Sequence, residues 1–118
     1  MYFNFGQFEW RGDGTTNKVV WVNNPSTSTW HYLVGTITGT SAVLYLDGAS
    51  VASGTVDGIP GNTNGINLGR YTEFGGGYYL NGSLDEVRIS NTALSSGRIA
   101  TEYNNVSNAA FLTAGTEQ

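Results

Sequence analysis

Residues 75–94 read GGGYYLNGSLDEVRISNTAL. A glycine run opens into two tyrosines, and a glycine-punctuated segment then carries the adjacent carboxylates Asp85 and Glu86. The pattern predicts a strand over about Ser83–Ile89 with Val87 and Ile89 turned into a core. A polar turn follows, and then the one segment with helical character. Ser95 is placed to cap that helix, and Leu94, Ile99 and Tyr103 fall along one side of about two turns. Such an ending belongs to an all-β domain whose last strand is followed by a short packed helix.

Strand signals recur upstream between turn residues. Aromatic and polar residues alternate over 2–10, Arg11-Gly12-Asp13-Gly14 forms a turn, and a strand runs from about Lys18 to Val22. A longer strand is expected from Trp30 to about Thr38. The clearest hairpin spans Ala42 to Ala52, where Asp47-Gly48 can take the positive φ angles of a tight turn. A connection rich in glycine and asparagine covers 57–65, and a short strand at Ile66–Leu68 precedes Gly69-Arg70.

With 118 residues, the chain is read as a single domain over 1–118. Seventeen glycines, 13% aromatic and only 12% charged residues fit an all-β sandwich with many turns. The net charge of −4 argues against nucleic acid or an anionic membrane surface as partner, since both call for a basic face. No cysteine is present to form a disulfide or a thiolate metal site. No apolar run approaches the roughly 20 residues of a membrane span. The opening MYFNFGQFEW lacks the regions of a signal peptide, so any export signal is expected outside this chain.

Several strands are apolar on both faces, Leu44 and Leu46 opposing Val43 and Tyr45 for example. A sandwich strand needs one buried face, so the second must be covered by a ligand or by another subunit.

WHYLVGTITGTSAVLYLDGASVASGT, INLGR and YYLNGSLDEVRISNTALSSGRIATEYNN together resemble the bacterial laminin-G-like group of concanavalin A-like jelly-roll domains. The resemblance is strongest over residues 30–104. It implies a jelly-roll β-sandwich of two antiparallel sheets, in a carbohydrate-binding, adhesion or spacer module of a secreted or cell-surface bacterial protein. Fewer residues precede Trp30 than the family carries, so the domain is expected to start partway through. Unpaired sheet edges favour a homodimer; a compact sandwich completed by the aromatic N-terminal strand is the alternative. The resemblance also makes Asp85 a candidate ligand of a structural calcium ion, which takes six to eight oxygens. Otherwise Asp85 accepts backbone hydrogen bonds.

The residues offer no catalytic pair. Neighbours in a strand point to opposite faces, so Asp85 and Glu86 diverge, and the E-x-D-x-x-E arrangement of glucanases with this fold is absent. His31 is the lone histidine and reads as a packed or hydrogen-bonded residue. The binding signal lies in RYTEFGGGYY. Tyr71, Phe74, Tyr78 and Tyr79, with Trp10, supply rings on which the C–H faces of a sugar can stack, and Arg70 and Glu73 supply polar partners for its hydroxyls. The tripeptide Arg11-Gly12-Asp13 and the sequons at Asn81 and Asn105 read as incidental. The expectation is a non-catalytic module that binds a neutral glycan, with an adhesion or spacer role as the alternative and a small glycan-active enzyme behind both.

Overall fold

A computed structural model describes residues 2–4, 7–11, 18–23, 25–57, 68–71 and 78–108. The regular elements within them are eight strands and, near the C-terminus, one helix. Strands β1 (Tyr2–Asn4), β2 (Gln7–Arg11) and β3 (Lys18–Trp21) form one antiparallel sheet in sequence order. Strands β4 (Leu33–Thr38), β5 (Ser41–Leu46) and β6 (Ala49–Thr55) form a second. A third element is the two-stranded ribbon of β7 (Arg70–Tyr71) and β8 (Tyr78–Tyr79).

The β4–β5–β6 meander is built by two tight turns. Thr38 pairs with Ser41, leaving Gly39 at φ 60 in the first central position, which a two-residue turn of type II′ reserves for glycine. Leu46 pairs with Ala49 across Asp47 (φ 52) and Gly48 (φ 80), the two positive angles of type I′. Pairing shifts by one residue between Leu44 and Tyr45, so Val51 is the extra residue of a bulge in β6.

The core lies where β3 packs on this meander. Val19, Ala42, Leu44 and Val56 are buried together, with Trp21, Leu33, Ile37, Val51 and Ala52 half-buried around them. Each buried valine or leucine side chain of this kind stabilises the fold by about 1.5–3 kcal/mol. A Cβ added at Gly54 would come within 3.3 Å of Val19 Cγ2, so the glycine lets β6 and β3 approach closely.

Strand β4 begins at Leu33, later than the alternation from Trp30 predicts. The ladder partner of Tyr32 would be Asp47, which sits in the turn. Backbone and side chain replace the regular pair: Asp47 N donates to Tyr32 O at 2.9 Å, and Tyr32 N donates to Asp47 Oδ1 at 2.9 Å.

The segment Ser83–Ile89 departs from expectation. It pairs with no other strand among the described residues, and Val87 and Ile89 are 51% and 73% exposed. Glu86 takes φ 52, with its N–H bonded to the neighbouring Asp85 Oδ1 at 2.8 Å, which breaks the run of extended residues. A β pattern becomes a strand only where a neighbouring edge accepts it, and none of the described strands does so here.

Helix α1 (Ser96–Ser107) is longer than expected, about three turns. Ser95 caps it through a 3.3 Å bond from Arg98 N to Ser95 Oγ, and Ile99 on its inner face is fully buried.

Candidate functional site

Two groups of side chains gather chemistry. The first is the β7–β8 ribbon. Its register sets Arg70 opposite Tyr79 and Tyr71 opposite Tyr78, and Leu80 N closes it on Gly69 O at 2.8 Å. The Arg70 guanidinium carbon stands 5.5 Å from the centroid of the Tyr79 ring, a cation–π distance, and Tyr79 is 70% exposed. Four of the seven proposed sugar contacts therefore belong to one ribbon. Trp10 lies in a different sheet, in β2 opposite Val19. Glu73 and Phe74 fall outside the described residues.

The second group is a polar chain joining four parts of the fold. His31 Nδ1 meets Asp47 Oδ2 at 2.7 Å, so this nitrogen carries the hydrogen and donates. His31 Nε2 stands 2.9 Å from Ser26 Oγ and 3.1 Å from the Ser26 carbonyl oxygen. Ser26, His31 and Asp47 thus fall in the order of a hydrolytic triad. Catalysis by such a triad also needs donors aimed at a developing oxyanion and a cleft for the acyl group. Ser26 is instead exposed, and its carbonyl crowds the nitrogen that would take the proton. The arrangement ties the 26–31 loop to the Asp47 turn.

From the same turn the chain continues to the helix. Tyr32 OH donates to Glu102 Oε2 at 2.7 Å, and Arg98 Nε donates to Glu102 Oε1 at 2.9 Å. Arg88 Nη2 donates to Glu86 Oε2 at 2.7 Å, while Arg88 Nη1 stands 4.0 Å from Glu102. The Tyr32 and Tyr103 rings stack at 6.4 Å and 27°. Arg88, Arg98, Thr101, Glu102 and Asn105 line an open polar groove, whose arginines each already hold a carboxylate. The lining itself carries two arginines and one glutamate, with Glu86 paired to Arg88 beside it. Little in the sequence announces this network, because its central bond joins residues 70 positions apart; only the i,i+4 pair Arg98–Glu102 is a local signal.

Burial, and then the bond to Glu102, push the Tyr32 hydroxyl up to about 12 from 10.0. The same hydroxyl, and then Arg98, hold Glu102 below its ordinary 4.5. A raised tyrosine stabilises the fold below pH 10 and loses that contribution as pH climbs to about 12. A lowered carboxyl stabilises above pH 4.5 and loses its contribution as pH falls through its folded value. Tyr32→Phe is therefore expected to cost about 1 kcal/mol near neutrality. It should remove the tyrosine's share of the alkaline loss and soften the acid loss, with Arg98 still holding Glu102. Chemical denaturation across pH measures all three effects.

Asp85 is exposed, with Oδ1 engaged by Glu86 N, and Glu86 is paired to Arg88. Among the described residues no three histidine, cysteine or acidic side chains converge as metal ligands. Asp85 could supply only part of the six to eight oxygens that calcium takes.

A model of the concanavalin A-like lectin/glucanases superfamily, in its laminin-G-like branch, matches residues 2–100. The chain belongs to this superfamily. No match is found among curated proteins. Among solved structures, the chain is similar to residues 221–444 of an S-layer domain-containing protein from Clostridium thermocellum, with 18% identity and a TM-score of 0.59. The match covers 87% of this chain and 65% of that one, and at this identity it speaks for the fold. The laminin-G-like resemblance read from residues 30–104 thus extends over nearly the whole chain, including the N-terminal strands. Among the described residues, no helix is long and apolar enough to cross a membrane.

Proposed function

We propose that the chain is a non-catalytic carbohydrate-binding module of a bacterial cell-surface or extracellular protein, taking a neutral glycan on the β7–β8 ribbon. One observation carries this reading: Tyr79 is largely exposed with the Arg70 guanidinium over its ring, on a ribbon that also bears Tyr71 and Tyr78. A ring presented to solvent and steadied by a cation offers the flat apolar surface that sugar C–H groups stack upon, with a guanidinium beside it to bond hydroxyls. The low charge of the chain favours a neutral glycan over a polyanionic one. Membership of a superfamily that includes lectins, and a neighbour named for an S-layer domain, support binding at a cell surface. Trp10, Glu73 and Phe74 remain part of the proposed contact set.

An array of plant, algal and bacterial glycans tests the reading. Binding to a neutral polysaccharide without release of reducing ends is the expected result. Release of reducing ends would make the chain an enzyme.

An adhesion or spacer role is the second reading. It is favoured by Leu80, Leu84, Val87 and Ile89, which are all exposed in one stretch of chain. Silence across the array would favour it.

The calcium expectation is tested by melting with and without a chelator. A calcium-bound Asp85 would make chelation lower the melting temperature, and Asp85→Asn would abolish the difference. Identical transitions remove Asp85 as a ligand.

A further inference from the structure

We propose that two copies of this chain join edge to edge through residues 83–91, paired antiparallel about Val87. No backbone–backbone hydrogen bond reaches residues 83–90 within the described structure. The two engaged amides nearby, Glu86 N and Thr92 N, bond to the neighbouring side chains Asp85 and Ser90. Once extended through Glu86, this segment would offer backbone N–H and C=O groups that have no backbone partner among the described residues, with apolar side chains at Leu84, Val87 and Ile89, and so a template for another strand.

Charge selects the partner and the register. A closed dimer of antiparallel strands has its two-fold axis through one residue, which then faces its own copy, because both strands must show the same face. Centring on Asp85, Glu86 or Arg88 sets like charges opposite each other. Centring on Leu84 or Ile89 matches no charges at all. With Val87 at the centre, Val87 meets the partner's Val87, and Glu86 faces the partner's Arg88 on both sides of the axis. Arg88 and Glu86 already pair within the chain at 2.7 Å, so pairing exchanges one ion pair for its cross-strand equivalent. Backbone strain favours the same change. Glu86 sits at φ 52, a left-handed conformation unfavourable for a residue other than glycine, and extension into a strand relieves it.

The test uses charge reversal and sedimentation. Wild type is expected to self-associate as concentration rises. Glu86→Arg and Arg88→Glu each set like charges opposite and should weaken association about tenfold. An equimolar mixture of the two variants should form a heterodimer, because each then supplies what the other lacks. That rescue separates pairing between chains from pairing within one chain, and melting of each variant alone checks its folding. In this cysteine-free chain, Val87→Cys should oxidise rapidly to a disulfide dimer, whereas Leu84→Cys, opposite the partner's Ser90, should not. Three results would each overturn the proposal: a wild type that stays monomeric, a mixture no better than its components, or equal cross-linking at both positions.

Discussion

Ile99→Ala is expected to destabilise the domain by about 2–5 kcal/mol, whereas Ile89→Ala in dilute solution should cost less than about 0.5 kcal/mol. The two side chains are identical, and their environments are not. Ile99 is fully buried on the inner face of α1, while Ile89 is 73% exposed in a segment without strand partners. Removing three carbons from Ile99 loses their transfer free energy and leaves a cavity that the sheet cannot fill. A helix of 12 residues is marginal on its own, so weakening this contact also loosens the helix that holds Glu102. Urea unfolding of both variants at low concentration reads the contrast directly. Comparable losses at the two positions would place Ile89 in the core and contradict the fold described here.

Gly48→Val is expected to lose about 2–5 kcal/mol, combining the left-handed penalty with overpacking. Gly48 holds φ 80 in the β5–β6 turn, and a Cβ there would stand 3.0 Å from Tyr103 Cδ1 and 3.2 Å from Tyr103 Cβ. The clash involves the root of the tyrosine as well as its ring, so rotation of the ring alone does not relieve it. Moving Tyr103 would disturb its stack on Tyr32 and pull at the Tyr32–Glu102 bond. Gly48→Ala should cost less, because it carries the same backbone penalty with fewer atoms to seat. Thermal melting of the pair separates the two contributions. A valine variant as stable as wild type would mean that turn and helix do not touch.

These residues also show what sequence could supply. Asp47-Gly48 declares its turn because positive φ is a property of the residues themselves, and Ser95 declares its cap for the same local reason. The β5–β6 hairpin and the helix follow from such signals. Ser83–Ile89 carries a strand pattern without forming a strand, because strand formation depends on a neighbouring edge, and no property of Val87 or Ile89 reports whether one is present. The left-handed Glu86 is likewise a response to its surroundings.

The site divides in the same way. Arg70, Tyr71, Tyr78 and Tyr79 are legible because they flank one glycine run, and a ribbon returns such neighbours to each other. Trp10 shares only its residue type with them, and the fold places it in another sheet. The Ser26–His31–Asp47–Tyr32–Glu102 chain carries no motif. Its members come from three separate parts of the sequence, 26–32, 47 and 102, and meet through the register of β4 and β5 and the docking of α1.

In the proposed function Tyr79 and Arg70 form a platform for a neutral glycan. Calorimetric titration of wild type and Tyr79→Ala with the neutral glycan that scores highest on the array tests it most directly. Wild type is expected to bind measurably and Tyr79→Ala to lose about tenfold in affinity with an unchanged melting temperature, since that ring is largely exposed. Equal affinity in the two proteins, or no neutral glycan bound by wild type, would contradict it.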